Sequence, residues 1–337
     1  MKSKFNYSLE NFRGIAIIFV MLSHILSIQS MGKASNYLFF FFVDATAWFV
    51  FISGYLFYLL EVNKFNYIDY LNKKLKYVIL PYLILSIPVI FIGLCFSRNV
   101  LYDLNPFQYT IWSLITGGMI VAPMWFIPMI VIFFLLTPVF NAMSKSKIIY
   151  ILTFIGLLFS IFSSRPVHNT NPFLSFLHFS GFYLFGISAA KSIDFLDALT
   201  PTAKRRIIAI SFIMFFLAGA CYQGIENGPG GFYDSLGLIN YIIVGKLALL
   251  IAIFFIFEKF FNKKKIFIGY LAKISFGLFF IHGFMSQIFG KFLQNSTYSS
   301  PFIKLLTEIG VVVFVSVVVV FLLKLIMGKW SRYVIGC

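Results

Sequence analysis

Apolar runs of about 20 residues recur along this sequence, and a run of that length is what crosses the hydrocarbon core of a bilayer. Of the 337 residues, 60% are hydrophobic and 11% are charged. Soluble domains carry about 25% charged residues, so an ordinary soluble enzyme is excluded. Disorder is excluded as well, because it needs low hydropathy. The pattern predicts an integral membrane protein.

Ten spans can be placed along the chain, so we expect an all-α polytopic integral membrane protein with residues 1–337 as a single transmembrane domain. The predicted spans are residues 12–30, 38–60, 77–96, 123–143, 148–163, 173–190, 206–222, 237–257, 266–290 and 303–327. Another apolar segment, 106–121, contains two glycines and precedes a proline. We interpret it as a re-entrant or interfacial helix on the external side.

The basic residues favour one orientation of these spans. The net charge is +16, and the Lys and Arg residues form short clusters between the apolar runs. With the N-terminus inside, twenty of the 27 fall in inside segments and five in outside segments. The positive-inside rule then predicts that both termini are cytoplasmic. Nucleic-acid binding is not expected, because it needs basic residues gathered on one polar surface.

Cysteine usage predicts neither a metal site nor a disulfide framework. The three cysteines are Cys95, Cys221 and Cys337, and none forms a Cys-x-x-Cys pair. An odd number without such spacing is not typical of a metal-binding or redox protein.

Arg13 and His24 are informative because ionisable groups are costly inside a bilayer. They are eleven positions apart. At about 100° per residue this spacing places both side chains on one face of a helix, separated by about 16 Å of rise. Arg13 would then lie at the cytoplasmic mouth and His24 half a bilayer deeper. A snorkelling arginine and a histidine in a packing seam have the same spacing, so the pattern alone leaves both interpretations open.

A second histidine, His282, lies in the ninth predicted span. Counted from residue 266 it is about 24 Å inward, a depth comparable with that of His24. Two histidines at one depth can share a cavity, although ten helices allow many other arrangements.

The second predicted span carries a small-residue pair and an acidic residue. In Ser53–Gly54–Tyr55 the small residues permit close helix approach or a local kink, so packing alone explains them as well as a role in a cavity. Asp44 lies near the external end of the span, where it either pairs with a basic group or lies in the interface.

Lys73, Lys74 and Lys76 precede Pro81 at the start of the third predicted span. Anchoring at the inner surface explains any one of them, and the cluster also suits phosphate binding at a cavity mouth. Trp125 is expected near the external interface, where aromatic belts are common.

Five motifs, in chain order, resemble those of the membrane-bound acyltransferase-3 family. They are Arg13 with His24; FVFISGY, ending in Ser53–Gly54–Tyr55; KKLKYVILPY, with Lys where the family often has Arg; Trp125–Phe126–Ile127–Pro128; and the segment from Ser275 to His282. Family members acylate extracytoplasmic sugars and other acceptors. The resemblance implies a short form without a fused extracytoplasmic hydrolase-like domain.

The resemblance also implies a reaction and a location. The expected reaction moves an acyl group, expected to be acetyl, from cytoplasmic acyl-CoA (acetyl-CoA) to a hydroxyl of an extracytoplasmic saccharide or glycolipid of the cell envelope. The expected architecture is about ten helices around a central acyl-transfer cavity in the cytoplasmic (inner) membrane, in contact with membrane lipid. The acceptor would enter under the Gly-rich loop 223–236. No metal is expected.

Roles are assigned to ten residues on this interpretation. We expect His24 and His282 to be catalytic, the donor to be bound by Arg13, Lys73, Lys74 and Lys76, and the substrate cavity to be lined by Ser53, Tyr55, Trp125 and Asp44. A polytopic transporter or exporter of a lipid-linked or saccharide substrate is the alternative, because transporters also carry intramembrane charge and interrupted spans. We find no internal repeat that would favour it.

Overall fold

A computed structural model describes residues 7–26, 33–96, 104–118, 120–166, 170–223, 238–294 and 300–337. Within these ranges the chain is helical and contains no strand. The helices are α1 (Tyr7–Leu26), α2 (Lys33–Phe42), α3 (Thr46–Leu60), α4 (Tyr67–Lys74), α5 (Leu80–Phe96), α6 (Pro106–Thr116), α7 (Phe126–Leu135), α8 (Thr137–Lys145), α9 (Ile148–Ile161), α10 (Pro172–Lys191), α11 (Ile193–Ala198), α12 (Pro201–Gln223), α13 (Tyr241–Phe260), α14 (Ile266–Gln294), α15 (Pro301–Met327) and α16 (Ser331–Val334).

Eight helical segments in the described ranges are long and apolar enough to cross a membrane, which confirms the all-α polytopic class. The pair α7 and α8, which is bent by 55° at its break, makes a ninth crossing if the two helices form one span. The fifth predicted span corresponds to α9, whose 14 residues are fewer than the ~20 of a usual crossing. The count of about ten therefore stays a prediction.

Segment 106–121 contains α6, which has 11 residues and is too short to cross a bilayer. It begins with a reciprocal cap between Asn105 and Gln108 and ends at Gly117, whose φ of 64° reverses the chain. The Tyr82 hydroxyl donates to the Leu114 carbonyl at 2.8 Å, so α6 packs against α5. A short helix folded back on a span fits a re-entrant or interfacial segment, and its side of the membrane stays a prediction.

The core of the bundle is built around α10, which is buried along most of its length. A Cβ on Gly54 of α3 would meet the carbonyl of Tyr183 on α10, and a Cβ on Gly186 would meet the carbonyl of Phe51. The two backbones are therefore in direct contact, as small residues allow between membrane helices. Gly54 of the Ser53–Gly54–Tyr55 motif thus has a packing role.

The helix α1 lies along α14, and this pairing places the two histidine-bearing helices together. The Asn11 side chain donates to the carbonyls of Phe261 and Lys263, at 2.7 and 3.0 Å, in the turn before α14. Further along, Arg13 contacts Ser275 and His24 contacts His282, so the two helices run in the same direction. Below, "the Arg13 end" and "the His24 end" name the two ends of this helix pair.

The second and third spans also depart from regular α-helix. The second is interrupted at residues 43–45, between α2 and α3, where Asp44 has a φ of 57°. The third contains a π-helical turn, Leu75–Ile79, between α4 and α5. Because Pro81 has no N–H and its ring crowds the carbonyl four residues earlier in an α-helix, the wider turn before it accommodates the proline. Both irregularities adjoin residues assigned to the site from the sequence.

Candidate active site

The two histidines assigned as catalytic meet inside the bundle. The ring centroids of His24 and His282 are 5.4 Å apart, with the rings inclined at 49°. The His282 side chain is fully buried, and that of His24 is half-buried. The residues are 258 positions apart in the chain, yet their rings are in contact. This agrees with the similar depth predicted for them from their spans. Two imidazoles in a low-dielectric site can act as a proton acceptor and its partner.

The hydrogen bond of His282 defines which of its nitrogens is available. Its Nδ1 donates to the Leu278 carbonyl at 2.8 Å, because a carbonyl oxygen can only accept. In the neutral ring, Nε2 is then a hydrogen-bond acceptor. This atom is buried and has no hydrogen-bond partner among the described residues. His282 therefore offers an unused acceptor beside the His24 ring.

Arg13 also faces α14, at the opposite end of the helix pair. Its Nε donates to the Ser275 hydroxyl at 2.7 Å. Since His24 faces the same helix, the prediction that Arg13 and His24 share one face of α1 is confirmed. Ser275 opens the motif that ends at His282, so one helix of the family-like pattern contacts both ionisable residues of the other.

The three lysines of the third span point in different directions. Lys74 turns inward, with its ammonium 4.9 Å from the Tyr70 ring centroid and 4.8 Å from that of Phe134. Arg13 is among the charged groups that act on it. Lys73 instead approaches Glu61 at 4.0 Å, and Lys76 is exposed. Of the three lysines, the structure therefore turns only Lys74 into the bundle and leaves the other two outside.

Asp44 forms an ion pair with Arg165, with 2.9 Å between Oδ1 and the arginine Nε. This confirms the first of the two interpretations of Asp44. Only 5% of the aspartate side chain is exposed, whereas 29% of the arginine is. The left-handed backbone of Asp44 is one that Asp tolerates better than most residues, and such conformations concentrate at functional sites.

The ion pair lies in the same half of the bundle as the histidines. Arg165 is among the charged groups that act on His24. Its guanidinium lies 5.4 Å from the Trp125 ring centroid, and the next residue, Phe126, packs at 5.3 Å against Phe279 of α14. Phe279 is in turn 6.1 Å from His282. Trp125 is therefore buried beside Arg165, and the neighbouring Phe126 packs on the histidine-bearing helix.

Tyr55 and Ser53 lie away from the histidine pair. Tyr55 is buried and lines a separate cavity of about 250 Å³, together with Phe12, Asp197 and Glu258. This cavity is at the Arg13 end, since residues near the start of α1 line it too. Ser53 is half-buried on the helix whose Gly54 contacts α10. The structure does not place either residue beside His24.

Sequence reasoning missed two residues of this region, Arg165 and Lys246. Arg165 is one of the five basic residues in the predicted outside segments and Lys246 lies in the eighth predicted span, and no motif assigns either of them a role. The signal that the sequence offered for Lys246 is a lysine within a predicted span. Nothing in the sequence pairs Arg165 with Asp44.

Within the described ranges, no cluster of His, Cys, Asp or Glu could hold a metal ion. Residues 224–236 of the Gly-rich loop lie outside the described residues.

Comparison with known proteins agrees with these observations. No curated protein and no solved structure matches the sequence. A family model described as an acyltransferase domain matches residues 6–325 of the 337. The match includes α1, α14 and all ten residues assigned to the site from the sequence. The protein belongs to the acyltransferase-3 family and is a membrane acyltransferase.

Proposed function

We propose that the protein is an O-acyltransferase that moves an acetyl group from cytoplasmic acetyl-CoA to a hydroxyl of an extracytoplasmic saccharide or glycolipid. The observation that carries the proposal is the shared face of Arg13 and His24 against α14. A cation at one end suits the donor's phosphates, and an imidazole about 16 Å further along the helix suits acyl transfer. The family match favours this function over the transporter alternative.

The Arg13 end supplies the donor site. Arg13 and Lys74 would bind the phosphates of the nucleotide, with Ser275 fixing the guanidinium. Lys73 and Lys76, nearer the surface, would add attraction at longer range. The pantetheine arm is then directed along α1 and α14, and its thioester reaches the histidine pair.

His24 acts as the general base in the proposed reaction. It takes the proton of the acceptor hydroxyl while the hydroxyl oxygen attacks the thioester carbonyl. The C–S bond breaks, an ester C–O bond forms, and the proton on His24 passes to the departing thiolate. The products are the acylated saccharide and free CoA, so atoms and charge balance.

The unused Nε2 of His282 limits what this residue can do. As an acceptor it can receive a hydrogen bond from a ring N–H of His24 or from the acceptor hydroxyl. In this protonation state Nε2 cannot donate a hydrogen bond to the thioester oxygen. We therefore favour an orienting role for His282. Trapping an acyl-imidazole on His24 with acetyl-CoA alone would instead indicate covalent catalysis.

The proposal includes a two-sided site in the cytoplasmic membrane, with both termini in the cytoplasm. The excess of basic residues in the inside segments supports this orientation. Neither a charged nucleotide nor a large saccharide crosses hydrocarbon readily. If each substrate enters from its own side, only the acyl group passes the membrane.

Sealed vesicles of both orientations test the proposal. Acetyl-CoA is supplied to the cytoplasmic face and acceptor-bearing glycan to the opposite face, and product and free CoA are measured. We expect product in this arrangement, with permeabilised vesicles as the control. Product that forms only when both substrates share the cytoplasmic face would contradict the two-sided site. Absence of CoA release under every arrangement would contradict acetyl-CoA as donor.

Mass spectrometry of surface glycans identifies the acceptor class. Glycans from cells with and without the gene are compared. We expect an acetyl mass increment that is lost in the deletion strain and restored by the intact gene, but not by His24→Ala. A different increment would change the acyl group, and an increment on lipid or protein would replace the saccharide.

A further inference from the structure

Lys246 is a buried charge that the proposed reaction does not use. It lies on α13, and its side chain has no solvent exposure. A buried ammonium is costly unless it is paired or hydrogen-bonded, and in a membrane helix such a group is functional by default. Its contacts therefore indicate what it is retained for.

The Lys246 side chain is fixed at the break in the second span. Its Nζ donates to the Phe41 carbonyl at 2.8 Å and lies 5.4 Å from the Trp48 ring centroid. The Trp48 indole N–H donates back to the Lys246 carbonyl at 3.3 Å. Phe41 is the penultimate residue of α2, where helix carbonyls lack an intrahelical donor. Lys246 therefore joins the two sides of the break that contains Asp44.

The same helix also fixes the segment that carries Arg165. At the start of α13, the Asn240 side chain donates to the Ser163 carbonyl at 3.1 Å, and its backbone N–H donates to the Ile161 carbonyl at 2.7 Å. Ser163 is two residues before Arg165, as Phe41 is three residues before Asp44. One rigid helix thus hydrogen-bonds to the backbone on both sides of the ion pair.

We propose that α13 sets the position of the Asp44–Arg165 ion pair relative to the histidine pair, and that Lys246 is a positioning residue for acyl transfer. Without Lys246, the break at residues 43–45 loses its donor and Asp44 shifts away from Arg165. The arginine beside Trp125 and α14 then shifts too. This inference rests on the proposed function for its effect on rate, but not for its effect on structure.

The kinetic test is a double-mutant cycle on Lys246→Met and Asp44→Asn, with Lys246→Arg as the charge-retaining variant. The full chain is assayed in native membrane vesicles, which retain the endogenous acceptor, by CoA release from acetyl-CoA. We expect Lys246→Met to lower kcat by about 10²-fold, the loss that a 1 Å misplacement can cause, with the KM for acetyl-CoA unchanged. Lys246→Arg should recover part of the rate.

The cycle separates positioning from a general loss of stability. If Lys246 acts through Asp44, adding Lys246→Met to Asp44→Asn lowers kcat little further, because the two losses share one cause. Losses that multiply, or a full rate in Lys246→Met, would overturn the proposal. Lys273→Met is the matched control, since Lys273 is also a lysine within a span but is exposed.

Hydrogen–deuterium exchange tests the structural part without requiring activity. We expect Lys246→Met to raise exchange in peptides covering residues 41–48, while Lys273→Met leaves them unchanged. Unaltered exchange in Lys246→Met would overturn the positioning role even if the rate falls. If the wild-type protein releases no CoA, acetyl-CoA is wrong as donor, and the exchange result still decides the role of Lys246.

Discussion

Lys73 at the Arg13 end and the charged groups at the His24 end are held in opposite ways. At the Arg13 end, Lys73 is 58% exposed and meets Glu61 at 4.0 Å, the limit for an ion pair. At the other end, Asp44 is 5% exposed and Lys246 is fully buried, each with a short contact. Exposed ion pairs contribute about 0–1 kcal/mol, whereas breaking a buried one costs about 3–5 kcal/mol. The first arrangement suits a substrate that comes and goes, and the second suits fixed catalytic geometry.

This contrast predicts that substitutions at the His24 end lower kcat and that those at the Arg13 end raise the KM for the donor. The largest expected effect is that of His24→Ala. We expect a loss of about 10²–10⁴-fold in acyl transfer, the contribution of a general base, with normal expression and membrane insertion. CoA release and glycan acetylation measure it, and Lys273→Met is the control. Full activity in His24→Ala would remove this histidine from the mechanism.

The next largest expected effect is at Asp44, where two substitutions separate the role of its charge from that of its backbone conformation. Asp44→Asn keeps a residue that tolerates the left-handed region, whereas Asp44→Ala adds a cost of about 1–2 kcal/mol. We expect both to lower kcat at unchanged donor KM, and only Asp44→Ala to lower the Tm further. Thermal unfolding of the purified variants measures the difference. Equal Tm values would show that the conformation carries no cost.

At the Arg13 end, Arg13→Ala should raise the KM for acetyl-CoA by about 10–100-fold, since hydrogen bonds to charged groups contribute about 1.5–3 kcal/mol. The kcat should stay constant, because the phosphates are bound equally in the ground state and the transition state. Ser275→Ala removes only the hydroxyl that orients the guanidinium and should have a smaller effect of the same kind. A fall in kcat at constant KM would assign Arg13 another role.

The smallest effect distinguishes the lysines from one another. Lys74→Met should raise the donor KM several-fold, because this ammonium points into the bundle, over the Tyr70 and Phe134 rings. Lys76→Met should change the KM less than about fivefold, because exposed charges contribute at most about 1 kcal/mol. The two variants carry the same change of charge, so each is the control for the other. Equal effects on the KM would mean that the lysines attract the donor only through long-range electrostatics.

Helical periodicity could predict what lies within one helix but not what lies between helices. The spacing of Arg13 and His24 placed both on one face, and apolar run length found the spans. The partner of Asp44 could not be found, because Arg165 is 121 positions away and belongs to no regular helix. The hydrogen-bond acceptor of Lys246 is a backbone carbonyl. Every residue has such a group, so the sequence cannot indicate which one the lysine contacts.

The lysine cluster shows the same limit on a shorter scale. Lys73, Lys74 and Lys76 read as one basic run, but each residue of an α-helix is rotated by about 100° from the last. The π-helical turn that begins at Leu75 has a different rotation per residue, which changes the direction of Lys76. The three lysines are therefore close in sequence but have different surroundings in the structure, and Lys74 is the one that points inward.

The glycine contact between α3 and α10 also bears on how the protein can deform. Carbonyl oxygens of Tyr183 and Phe51 occupy the spaces where Gly54 and Gly186 lack a side chain. Moving α3 by one residue along its own helical screw would place the Cβ of Ser53 or Tyr55 where Gly54 now faces the Tyr183 carbonyl, and no torsion angle lies between to absorb the strain. The two helices therefore move as one rigid unit. Asp44 directly precedes α3, so its position is fixed relative to this unit. Stiffness of this kind favours passing a small group through a fixed aperture over rocking one half of a bundle against the other.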